Sequence, residues 1–157
     1  WAVNGNHDRY GRNNAGEFIF DNAGIRVLHD SYAEIAPGLV VAGVDNLSGR
    51  GRSGRGREAV LKSLVNRPEG ATVFLSHFPL YADAAAEEKA GLMLSGHTHG
   101  GQIWPFGYLV QREYPLLAGR YDVGGMTVIV SRGAGTWGPR MRLWLPGEIL
   151  RVTLHAE

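Results

Sequence analysis

The strongest constraint in this 157-residue chain is a short apolar run, Leu92-Met93-Leu94-Ser95, that stops at Gly96-His97-Thr98-His99 and leaves through Gly100-Gly101-Gln102. A strand that ends in two histidines one residue apart, with glycines on both sides, lets the backbone bend sharply and turn both imidazoles toward one pocket. Two further segments have the same form. Trp1-Ala2-Val3-Asn4 runs into Gly5-Asn6-His7-Asp8, and Ala71-Thr72-Val73-Phe74-Leu75-Ser76 runs into His77-Phe78-Pro79. Three strand ends of this kind can deliver ligands to one edge of a sheet, where open α/β sheets carry their chemistry.

The rest of the chain supplies a framework for such an edge. A helix is expected over residues 14–22, ended by Gly24, and strands over 25–28, 32–36 and 39–44, the last two joined at Pro37-Gly38. Val60, Leu61, Leu64 and Val65 share one face of a helix over 57–65. A strand at 72–76, a helix at 83–90 and the 92–95 strand follow. Gly124-Gly125 between two apolar runs signals a hairpin of 121–123 with 126–130, and 148–154 reads as a closing strand. Alternating strands and helices followed by a strand-rich end indicate an α+β fold.

Composition removes several functional classes. With 44% hydrophobic residues the chain is long enough for one core. Sixteen basic residues against 15 acidic ones give no global electrostatic case for nucleic acid. The absence of cysteine excludes disulfides and thiolate zinc sites. The uncharged stretch 90–111 is interrupted by His97, His99, Gln102, Pro105 and several glycines, which argues against a membrane-spanning helix. Gly49 to Arg57 concentrates four arginines among glycines. That tract reads as a surface loop ahead of a helix, or as the contact of a non-catalytic phosphate- or RNA-binding module.

Taken in order, Gly5-Asn6-His7-Asp8, Ser76-His77-Phe78-Pro79 and Gly96-His97-Thr98-His99 resemble the last three motifs of the calcineurin-like metallophosphoesterases. The extension Gly100 to Gly107, and the later Ser131-Arg132-Gly133-Ala134-Gly135-Thr136 with Arg142 and Pro146-Gly147-Glu148, resemble a bacterial branch that often carries an amino-terminal membrane anchor. The resemblance implies a four-layer α/β/β/α sandwich, of which this chain would form roughly the second half. It also implies hydrolysis of a phosphomonoester or phosphodiester by metal-activated hydroxide. Two ions of manganese, iron or zinc would serve, since histidine, amide and carboxylate oxygens suit all three. Asn6, His77 and His97 would bind one ion and His99 the other. His7 resembles the family's non-ligand catalytic histidine, and a group titrating near neutrality suits proton transfer.

The family's Asp-x-His and Gly-Asp-x-x-Asp motifs do not occur in these residues. Residues 1–157 are therefore expected to be the carboxyl-terminal portion of a single metallophosphoesterase domain. By itself such a portion would be inactive and hold at most one ion weakly. Its expected partners are a phosphoester substrate, lipid-linked or nucleotide, and the amino-terminal half of the domain. Outside the motifs, His29 and His155 read as hydrogen-bonded or exposed residues, and Asp8 as a residue that holds its loop. Trp104, Pro105, Phe106 and Tyr108 read either as core packing or as an apolar wall for a substrate. Arg132, Arg140 and Arg142 read as phosphate contacts or as partners of Glu148 and nearby loops.

Overall fold

The computed structural model describes residues 1–8, 15–49 and 54–155. Its strands are β1 (Ser31–Ala36), β2 (Leu39–Gly43), β3 (Ala71–Leu75), β4 (Leu92–Ser95), β5 (Gly119–Val123) and β6 (Met126–Val130), and its helices α1 (Ala15–Asn22), α2 (Gly54–Leu64), α3 (Ala82–Glu87) and α4 (Gly107–Glu113). The strands form one sheet in the order β1-β2-β3-β4-β6-β5. β2, β3, β4 and β6 run parallel, and β1 and β5 pair antiparallel at the two edges. This mixed sheet with helices agrees with the α+β expectation. Among the described residues there is a single sheet.

The sequence pattern explains the layering. β2 is a continuous apolar run buried from Val40 to Gly43, as expected of an inner parallel strand. β3 and β6 instead alternate: Thr72, Phe74, Met126, Val128 and Val130 are buried, and the residues between them are exposed or half-buried. The buried face is covered by α2 and α3. α2 buries Gly56, Ala59, Val60, Ser63 and Leu64, a three-four spacing that lays one stripe on the sheet. α3 contributes Ala82, Ala84 and Ala85, whose small side chains bring it close to the strands. Phe74, Leu64, Met93 and Met126 are the largest fully buried side chains of this core.

Most expected elements are present with shifted ends. α2 starts three residues before the expected Arg57, and α3 stops at Glu87 before Lys89 turns to φ 57°. The β5-β6 hairpin turns at Gly124 and Gly125, with φ of 59° and 82°, as its twist requires. Two expected strands reduce to a single bridge, Ala2 with Val27. The segment 148–154 is not a strand: it has no ladder partner, and Ile149 is 90% exposed. Apolar alternation specifies a strand only where a neighbouring edge offers backbone partners. Conversely, α4 was not expected, because its run Gly-Tyr-Leu-Val-Gln-Arg-Glu is short and buries no residue.

The contrast between core and tail is measurable by urea unfolding at pH 7. Phe74→Ala should lower the unfolding free energy by about 3–5 kcal/mol. Ile149→Ala should change it by less than about 0.5 kcal/mol.

Candidate metal centre

Parallel pairing sets the carboxyl ends of β3 and β4 side by side. Leu75 pairs with Leu94, Ser76 N donates to Leu94 O at 3.1 Å, and Gly96 N donates to His77 O at 3.1 Å. His77 and His97 therefore leave adjacent strands at the same level. The Gly5-Asn6-His7-Asp8 loop is brought over them from the other side. Ala2 bridges Val27, the buried Asn4 donates to the buried Asp45 at 3.2 Å, and Gly5 N donates to Asp8 Oδ2 at 2.6 Å. Asp8 thus holds its loop. A Cβ on Gly5 would lie 2.9 Å from the His77 ring, so only glycine lets this loop close on the imidazole.

Three acceptor-capable atoms converge as a result. Asn6 Oδ1 lies 2.9 Å from His77 Nε2 and 3.2 Å from His97 Nδ1, and the two ring nitrogens lie 3.2 Å apart. Ligand atoms 2.0–2.1 Å from a tetrahedral ion stand roughly 3.3 Å from one another, close to this spacing. Protons on the rings can satisfy two of these contacts at most, so the trio has the donor chemistry of a cation site. His99 lies on the same cavity, and its buried Nδ1 has no hydrogen-bond partner among the described residues. His7 is exposed at the same cavity. Among the described residues no three histidine, cysteine or carboxylate side chains are grouped for one ion. The set brought together is two imidazoles and an amide, with His99 apart.

Electrostatics favours neutral rings. Desolvation by burial holds the His77 and His97 pKa values down to about 4, helped for His97 by His77 and opposed for His77 by Asp8. Burial also lowers His99, and Arg142 adds to this. All three lone pairs are thus available at pH 7 without loss of a proton.

Tyr114, which the sequence reading missed, sits behind this set. Its hydroxyl is 3.1 Å from His97 Nε2, so it can accept the proton there and leave Nδ1 facing Asn6 and His77. Phe78 lies against His97 with ring centroids 4.0 Å apart and fixes the ring plane. No sequence signal marks Tyr114, because it follows α4, seventeen residues after its partner.

The arginines take structural partners. Arg132 binds Glu148 through its backbone N–H and its guanidinium at 2.7 Å each, and this holds the Glu148 carboxyl below its usual pKa. Arg142 donates to the carbonyls of His99, Arg132 and Gly135. Arg140 is exposed, as is His155, and the exposed His29 stands 3.7 Å from Asp45. Arg50 and Arg52 of the glycine-arginine tract lie outside the described residues, whereas Arg57 is bound by Asp83 and Glu87.

Comparison with known proteins gives the same answer as the loops. The chain is 33% identical over 156 residues to an uncharacterized metallophosphoesterase of Campylobacter jejuni, covering 98% of this chain and 41% of that protein. An uncharacterized metallophosphoesterase of Aquifex aeolicus is 38% identical over 161 residues, covering 100% of this chain and 61% of its own length. A transmembrane protein with metallophosphoesterase domain from Danio rerio is 32% identical over 98% of this chain and 38% of its own. This chain belongs to the calcineurin-like metallophosphoesterases. It spans between 38% and 61% of the length of these three relatives. No protein-family model matches it, and no solved structure does. Membership makes it part of a metal-dependent phosphoesterase family, and the family implies divalent metal cofactors. Among the described residues no helix is long and apolar enough to cross a membrane.

The buried neutral imidazoles should make the metal-free chain acid-sensitive. The unfolded chain takes up protons below about pH 6.5, the ordinary histidine value, while folded His77 and His97 resist protonation until about pH 4. The stability these groups contribute is complete above the first value and is lost as pH falls toward the second. Urea midpoints measured from pH 7 to 4.5 should fall, and less steeply in His77→Gln. A midpoint that stays level would contradict the burial of these rings.

Proposed function

We propose that the intact protein hydrolyses phosphomonoesters or phosphodiesters at a two-metal centre to which this chain contributes Asn6, His77 and His97 for one ion and His99 for the other. The observation that carries this reading is the convergence of Asn6 Oδ1, His77 Nε2 and His97 Nδ1 within 3.2 Å of one another. Bound ions of manganese, iron or zinc would supply a nucleophile stronger than water and neutralise phosphoryl charge.

The chain's own residues would do the rest. Neutral His77 and His97 offer lone pairs, and Tyr114 fixes which nitrogen of His97 carries the proton. His7, exposed at the cavity beside this set, would hand a proton to the leaving oxygen. With one trio and a lone His99, the 157 residues by themselves would hold at most one loosely bound ion and turn over negligibly, the remaining ligands and second sheet of the sandwich coming from an amino-terminal half. For the parent we propose a membrane surface, supported by the relative named as a transmembrane protein. A phosphate- or RNA-binding module built on the glycine-arginine tract has less support, since Arg57 is already bound by two carboxylates.

Titration of zinc into purified variants, followed by calorimetry, tests the ligand set. His97→Ala should abolish binding, and Tyr114→Phe should weaken it by about 10–100-fold through loss of the partner that orients His97. In the complete gene product, His7→Ala should retain its metals yet slow turnover of a nitrophenyl phosphodiester by about a hundredfold or more. A His7 variant that loses its metals instead would refute the proton-donor role.

A further inference from the structure

The histidines share a cavity of about 550 Å³ with a set of apolar side chains. That volume falls within the roughly 300–1,000 Å³ of small-molecule pockets. The cavity's apolar lining is Ile103, Phe106, Leu109, Val110 and Trp137. Phe106, Leu109 and Val110 recur at three-four spacing at the start of α4, so they form one stripe, while Gln111 and Arg112 stand exposed. These are large apolar side chains, yet Phe106, Leu109 and Trp137 are each more than half exposed. Trp104 and Trp144, outside the cavity lining, pack with ring centroids 5.5 Å apart, and both are also more than half exposed. An apolar wall of this size left open to solvent marks a place where something apolar binds.

Charge narrows the occupant. Among the described residues no carboxylate lines the cavity, and its titratable lining is imidazole and phenol. Arg142, whose guanidinium holds the His99 carbonyl, adds positive charge beside His99. With metal held at the histidines, that part of the lining suits an anion and the apolar part a hydrocarbon, within one cavity. We infer that the cavity takes an amphiphilic phosphoester, with the phosphate at the histidines and an alkyl or acyl chain along the α4 wall. The phosphate end rests on the function proposed above. The wall does not.

The test uses the zinc-saturated purified chain and follows tryptophan emission, to which Trp137 in the wall contributes, during titration with monomeric decyl phosphate, ethyl phosphate, inorganic phosphate and decyltrimethylammonium. Each methylene buried should tighten binding by up to about fourfold. Decyl phosphate should thus bind at least tenfold more tightly than ethyl phosphate, with a blue shift, and more tightly than decyltrimethylammonium. Leu109→Ser should remove the chain-length gain while leaving zinc and inorganic phosphate binding unchanged, because it adds no charge to the cavity, α4 buries no residue and the fold does not depend on Leu109. Phe106→Ser serves as a second variant with the same expectation. Equal affinities for decyl and ethyl phosphate, or for the two decyl compounds, would overturn the proposal. So would loss of the chain-length effect in the longer gene product, where another part of the polypeptide would then cover the wall. Failure of zinc to bind while the chain-length effect persists would instead refute the metal-centre reading and leave the wall standing.

Discussion

The parallel ladder between β3 and β4 is the constraint on which the site depends. Its register runs from Val73 opposite Leu92 to Leu75 opposite Leu94, and it continues past the strands through Gly96 N to His77 O. A slip of one residue would turn Phe74 or Met93 out of the core and set the two histidine loops out of level. The register is held because the same alternation buries Phe74 and Met93 under α2 and α3, so losing it would expose two of the largest core side chains. Core packing and the placement of the imidazoles are one commitment, because the strands that bury Phe74 and Met93 are the ones whose ends launch the two histidine loops.

That commitment creates an electrostatic tension. Two imidazoles and an amide oxygen held within 3.2 Å, in a partly desolvated site, present overlapping lone pairs with too few protons to share. Water would disperse that repulsion, but burial removes much of it and lowers both pKa values. A cation relieves the tension and a proton does so less well, because a proton must be given to one ring at the expense of the other. The arrangement is thus unfavourable by itself, and under the proposed function a bound metal would offset that cost.

How much of this could be read from the residues differs with range. The three loops, their order and the β-α alternation are local patterns, and they sufficed to bring Asn6, His77 and His97 together on paper. The hairpin at Gly124-Gly125 was equally legible, because turn chemistry is local. Tyr114, the Asn4 to Asp45 bond and the hold of Arg142 on the His99 carbonyl were not, because each joins residues whose meeting depends on how distant elements pack. The 148–154 segment misled in the opposite sense: its apolar residues have strand character, but strand character without a partner edge makes no strand. The tight span of α4 hid behind its small size and its lack of any buried residue.

Backbone strain shows what those distant contacts accomplish. His97, His99 and Gln102 have φ of 68°, 52° and 53°, values unusual for residues with a Cβ, and Gly101 at 82° approaches Gly107 so closely that a Cβ there would lie 2.3 Å from its Cα. Residues held in such conformations cost about 1–3 kcal/mol each and persist only where their surroundings over-determine them. Here the surroundings come from later in the chain. Gln102 exchanges hydrogen bonds with Trp137 and donates to Pro139 O, while Arg142 ties the His99 carbonyl to those of Arg132 and Gly135. Glu148 in turn pins Arg132. The irregular segment after β6, which forms no strand or helix, therefore acts as the clamp that keeps the two-histidine loop in its strained shape. In that segment Arg132, Arg142 and Glu148 are accordingly committed to carbonyl groups and to one another.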